Sequence, residues 1–177
     1  MAIHYENFDQ EVRRLMVQEL ERDETNGTLY ISPRLTAAGA QAWPRLLREA
    51  MEQHDDAWLA SRLRSGGYIR AEEQRRKPKG GFTTAKVPHT APDTLAEGEF
   101  NRFYARGLCA HVLASGGSEV EVYRGKQVEN PRPESEAMIG RRLLAQRLLD
   151  DLRTSQGVEP ALGLPPGPNS GLTVRRP

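Results

Sequence analysis

The spacing of bulky side chains between Phe100 and Val112 constrains this chain more than any other feature. Phe100, Phe103, Tyr104, Gly107, Leu108, His111 and Val112 follow one another at three- and four-residue steps, the interval that brings side chains onto one face of an α-helix. Thr94 and Glu97 stand ahead of them with the spacing of a capping box, hydroxyl toward the helix start and carboxylate reaching back. Gly116-Gly117 closes the segment. Only 6% of the chain is aromatic. Concentrating so much of it on one stripe predicts that this helix lies at the centre of the core, with Phe103 buried.

Helical periods flank that element. Phe8, Val12, Leu15, Met16 and Leu20 predict a helix within Tyr5–Glu24, ended by Gly27 in the left-handed position. "TLYIS" predicts a short strand. Ser32-Pro33 reads as an N-cap followed by a first-turn proline, opening a segment with Leu35, Ala38, Ala42 and Trp43 on its buried side. Pro44 interrupts or restarts that segment, and Leu46, Leu47, Ala50 and Met51 continue its apolar face. Asp55 caps a further short helix carrying Trp58, Leu59 and Leu63. Beyond the central helix, "EVEVYR" alternates as a half-buried strand. "ENPRPESE" must be extended, because proline disfavours helical geometry in the residue before it. Ser135 opens a last helix through Ile139, Leu143, Leu144, Leu148, Leu149 and Leu152.

The expected class is therefore mainly α with a small β element, an α+β fold with a helical core. Four regions follow: an N-terminal helical region (1–64), a basic loop or arm (65–92), the core helix with a short strand and C-terminal helix (93–157), and an extended Pro/Gly-rich tail (158–177). At 177 residues a single domain with a real core is expected. The hydrophobic fraction of 37% and mean hydropathy of −0.66 are low for a compact globule, so part of the chain is expected to be peripheral or bound to something else.

Charge is unevenly distributed. Net charge is +1 overall, which excludes a molecule that is cationic as a whole. Residues 65–92 hold six Lys/Arg against two Asp/Glu, a surplus of four, whereas residues 1–64 hold eight against eleven. The stretch "RRKPKGGFTTAK" (75–86) concentrates the positive charge. It is no phosphate-cradling loop: Phe82, Thr83 and Thr84 stand where a P-loop needs Lys followed by Ser or Thr. A solvated basic loop, a nucleic-acid contact and a contact with an acidic neighbouring chain are the alternatives.

Catalytic patterns are missing from the sequence. The single cysteine, Cys109, forms no intrachain disulfide. It stands two residues from His111, about 200° around a helix, and reads as a buried, inert thiol. His4, His54, His89 and His111 have no paired spacing for a metal, and His54-Asp55-Asp56 falls where a helix should be capped. His111 itself reads as a hydrogen-bonded core residue. No cofactor motif is recognisable. No apolar run approaches the roughly 18 residues of a membrane span, so a soluble protein, cytoplasmic or assembled there into a virion, is expected.

These features predict a non-enzymatic structural subunit of a large assembly, most concretely an accessory protein of a phage or prophage head, connector or tail. Its partners would be neighbouring subunits, as a homo-oligomer or larger assembly. The contact residues expected are Arg75, Arg76, Lys77 and Lys79 in the basic loop, Arg132 in the proline-stiffened strip, and Leu162, Leu164, Pro165, Pro166 and Leu172 in the tail. The alternative is a small nucleic-acid-binding or regulatory protein using residues 75–86.

Overall fold

A computed structural model describes residues 3–155 and 170–177. Its elements run α1 (Gln10–Asn26), α2 (Ala37–Gln53), α3 (Asp56–Ser65), β1 (Glu72–Arg76), β2 (Phe82–Lys86), α4 (Ala91–Ala114), β3 (Glu119–Arg124), α5 (Pro133–Glu136), β4 (Arg142–Leu144), α6 (Ala145–Thr154) and β5 (Leu172–Arg175). The fold is α+β with two small antiparallel sheets, β1-β2 and β4-β3-β5.

The aromatic helix α4 is the hub. It packs against α1, α3 and α6 and also meets β3 and β5, so the first and second halves of the chain share one apolar cluster. Phe100, Phe103, Tyr104 and Leu108 are all buried there. Tyr5 and Phe8 add a knot of rings, with Tyr5 4.6 Å from Tyr104 and Phe8 edge-on to Phe100 at 5.5 Å. Gly107 lets α1 come close: a Cβ on it would lie 2.7 Å from Met16 Cγ and 3.0 Å from Val12 O.

Several ends follow local chemistry, those at Gly27 and Asp55 as expected. Asp9 caps α1 through Val12 N–H at 2.9 Å, and Gly27 closes it at φ 66°. Asp55 caps α3 through Trp58 N–H at 2.8 Å. Three ends differ. Helix α2 starts at Thr36, whose hydroxyl accepts from Gly39 N–H at 3.1 Å; Ser32 instead takes Arg34 N–H in a local turn at 3.2 Å. Pro44 sits inside a continuous α2 without breaking it. Helix α4 starts at Ala91 with Pro92 in its first turn, and Glu97 turns inward to Lys126 Nζ at 2.5 Å rather than back to a cap.

The expected strand in "TLYIS" does not form. Tyr30 C=O accepts from Trp43 Nε1 at 3.0 Å and holds that stretch against α2. The single long helix expected from Ser135 is divided. Gly140 adopts φ 80°, the left-handed region, so the chain turns there, pairs β4 with β3, and starts α6 at Ala145.

The largest departure is at the far end. Residues 158–177 do not form one irregular tail, because Leu172–Arg175 is a strand paired with β3, Val122 opposite Val174. Leu172 and Val174 are 5% and 0% exposed. The strand is also tied to the chain's beginning: Arg175 pairs with Glu6 and Glu121, and Arg176 with Asp9. Leu162, Leu164, Pro165 and Pro166 lie outside the described residues.

Candidate interaction arm

The basic stretch is a two-stranded ribbon, not a loop without regular structure. Its sequence explains the shape. Lys77-Pro78-Lys79-Gly80 makes the turn, with Pro78 in the second position where its fixed φ fits. Gly80 N–H donates to Lys77 C=O at 3.1 Å and Lys77 N–H to Gly81 C=O at 2.9 Å. Gly80 and Gly81 adopt φ 93° and 77°, which side chains with a Cβ rarely reach. Cross-strand pairing then runs Arg76 to Phe82, Arg75 to Thr83, Gln74 to Thr84, Glu73 to Ala85 and Glu72 to Lys86.

The root of the ribbon is fixed to the body. Leu35 and Ile69 form a β-bridge, Arg70 N–H donates to Arg34 C=O at 2.8 Å, and Thr36 N–H to Tyr68 C=O at 2.8 Å. Arg34 grips Glu73 with both arms of its guanidinium, Nε to Oε2 at 2.6 Å and Nη2 to Oε1 at 3.1 Å. Arg34 and then Arg75 hold the Glu73 carboxyl below its ordinary range. Beyond Glu73 the ribbon leaves the body.

Directly opposed residues share a face. Glu73 and Ala85, the two half-buried positions, define the face turned toward the body. The opposite face carries Arg76 with Phe82, Gln74 with Thr84, and Glu72 with Lys86. Gln74 Nε2 donates to Thr84 Oγ1 at 2.9 Å. Phe82 is 68% exposed. A two-stranded ribbon with both faces open buries almost nothing and is marginal alone. Its turn and its root hold it.

Charge follows the same division. On the body, many arginines are matched with acids, as Arg48 with Glu21 and Glu24, or Arg153 with Glu19, while others such as Arg13, Arg70 and Arg102 bond backbone carbonyls. On the ribbon, Arg75 pairs with Glu73. Among the described residues Arg76, Lys77, Lys79 and Lys86 make no ion pair. Residues 74–86 contain five cations and no acid. Three of the four lysines in the whole chain are here, at positions 77, 79 and 86. That allocation was a signal available from the sequence.

The other expected contact residues fall elsewhere. Arg132 is exposed at the N-cap of α5, in a different element from the ribbon. Leu172 is a correction: it is buried in this chain's own sheet rather than presented on a tail.

Several titratable groups inside the body have structural work. Arg106 is fully buried and donates to Asp23 Oδ2 and Oδ1 at 2.7 and 2.8 Å and to Glu19 Oε2 at 2.9 Å. Arg153 reaches the same Glu19 at 2.6 Å. Burial alone would raise the Glu19 carboxyl, but the Arg153 and Arg106 guanidiniums outweigh it and hold it low. Sequence periodicity missed Arg106. The sign was there: Glu19 and Asp23 continue the Val12–Met16 stripe of α1, and Arg106 follows Phe103 by three. Glu99 is buried beside Arg102 and Arg106, and burial pushes its carboxyl up to about 7. Burial likewise pushes the Cys109 thiol up to about 12, the inert state expected of it. His111 is only half-buried, near the exposed end of α4 beside Ser115 Oγ at 3.4 Å, rather than in the core.

A cavity of about 440 Å³ opens between the N-terminal segment and α3, lined by Tyr5, Phe8, Arg13, His54, Asp55 and Trp58 among others. Several of its polar groups are employed, although the buried Tyr5 hydroxyl has no hydrogen-bond partner. Arg13 Nη1 donates to Met51 and His54 carbonyls at 2.8 and 3.0 Å, capping the end of α2. Its guanidinium lies 3.7 Å over Phe8, and His54 stacks on Trp58 at 4.3 Å. Among the described residues no cluster of three His, Cys, Asp or Glu side chains is arranged to hold a metal, and no helix is long and apolar enough to cross a membrane. Comparison with protein-family models, curated proteins and solved structures finds no match for this chain.

Proposed function

We propose that this protein is a non-enzymatic contact subunit: a helical body that carries a cationic β-ribbon out to a neighbour in a larger assembly. One observation carries the reading. Beyond Glu73 the ribbon is mostly exposed, Arg76, Lys77, Lys79 and Lys86 make no ion pair among the described residues, and Phe82 is displayed, although the body matches many of its charges internally. An arm that stabilised only its own fold would gain nothing from an exposed phenylalanine beside unpaired cations. The buried arginine cluster and the helix caps fit the same reading, since their polar groups have architectural partners.

Native mass and light scattering of the full chain test it, alongside a variant carrying Gln at Arg75, Arg76, Lys77 and Lys79. The variant is expected to keep its melting temperature and to lose an association that the parent makes. A variant that associates with the same partners as the parent, in the same stoichiometry, overturns the proposal.

A further inference from the structure

Resting on that contact reading, we infer that the ribbon's partner is a double-stranded DNA backbone, engaged with the ribbon lying in the major groove. Charge complementarity comes first. Beyond Glu72 and Glu73 at its root, the arm from Gln74 to Lys86 presents five cations and no acid, the footprint that gains affinity by releasing counterions from phosphates. The kind of cation matters as well. Apart from Lys126 with Glu97, the ion pairs among the described residues are built with arginine, as at Arg106, Arg34 and Arg175. The chain places lysine at 77, 79 and 86. Arginine's rigid fork suits a particular carboxylate, whereas the lysine ammonium is a hydrated point charge without a preferred geometry. An acidic protein surface offers discrete carboxylates. A duplex offers a regular line of phosphates that asks for no fork.

Shape agrees. Two paired strands with their side chains fit the roughly 12 Å major groove, which admits a β-ribbon. The strand from Phe82 to Lys86 spans about 13 Å at the usual rise, so the tip cations and Lys86 can meet phosphates on opposite walls. Phe82 and Arg76 share the outward face near the tip. They would face the groove floor, Phe82 against apolar base edges such as thymine methyls. The positive φ of Gly80 and Gly81 turns the chain back just after Pro78 and Lys79 at the apex, and a Cβ at either glycine would touch nothing within 4 Å. The glycines therefore serve the turn and leave its backbone open to close approach.

The test uses the full-length protein and a fluorescein-labelled mixed-sequence 20-base-pair duplex, read by anisotropy between 50 and 200 mM salt. With four uncompensated cations on phosphates, log K should fall against log salt with a slope of about −3.6, roughly a 100-fold loss over that range. Lys77→Gln with Lys79→Gln should reduce the slope to about −1.8. Phe82→Ala should weaken binding several-fold at unchanged slope, because no charge is removed. No binding at 50 mM salt, or binding that the arm substitutions leave alone, overturns the inference. If DNA is ignored while native mass still depends on the arm, the partner is a protein: the contact reading survives and this inference fails. If neither depends on the arm, both fail.

Discussion

Arg106 and Asp23 face one another as a two-pronged ion pair, Nη1 to Oδ2 at 2.7 Å and Nη2 to Oδ1 at 2.8 Å, with the arginine wholly inside the protein. This pair and Glu19 join α1 to α4 at their crossing. Removing one partner of a buried pair leaves an uncompensated charge, so Arg106→Met should cost about 3–5 kcal/mol. The double variant Arg106→Met with Asp23→Leu should recover part of that loss. Urea unfolding of the single and double variants checks this; independent, additive losses would mean that the two residues do not act as a pair.

Glu99 gives a pH dependence. Its folded value is raised by burial to about 7 from an ordinary value of 4.5. Between those values the folded state binds a proton that the unfolded state releases, so stability falls as pH rises from about 4.5 to about 7. The penalty above pH 7 is on the order of 3 kcal/mol. Glu99→Gln should therefore melt higher than the parent at pH 8 and near it at pH 5. Parallel melting curves across that range would show that the carboxyl does not titrate as described.

Deleting residues 170–177 removes β5 and with it Leu172 and Val174, 5% and 0% exposed. It also opens the edge of β3 and cuts the Arg175–Glu6 and Arg176–Asp9 ties. Emptying one such large apolar site alone costs about 2–5 kcal/mol, a major share of ordinary domain stability. The shortened chain should unfold at markedly lower denaturant. An extended tail without regular structure, as the sequence predicts, would be lost without cost. Circular dichroism melts separate the two.

Gly107→Ala tests the α1–α4 crossing. Its new methyl would meet Val12 O and Met16 N of α1 at 3.0 Å, both backbone atoms. Overpacking of this kind costs about 1–3 kcal/mol, in spite of alanine's better helix propensity. A stabilised Gly107→Ala would mean that the helices separate freely.

What could be read from the residues was what short-range periodicity records. The α4 stripe, the Asp55 cap and the Gly27 closure each depend on residues within a turn or two. Strand β5 was illegible because its partner, β3, ends at Arg124, and nothing in "GLTVRR" names that distant edge. The divided helix turned on the left-handed Gly140, which an apolar pattern reads straight through. The ribbon was hidden by its composition: Glu, Gln and Arg in β1 are poor strand formers, and only the turn residues and Phe82-Thr83-Thr84 pointed to pairing.

The distribution of lysine has a chemical consequence. Three amino side chains stand in the open on the ribbon, while the fourth, Lys126, is partly covered and held by Glu97 at 2.5 Å. Acylation of lysine side chains, by an enzyme or by a reagent, would therefore remove three of the arm's five positive charges and leave the arginine-built interior untouched. Contact and stability are written in different residues, so the first can be switched off chemically without disturbing the second.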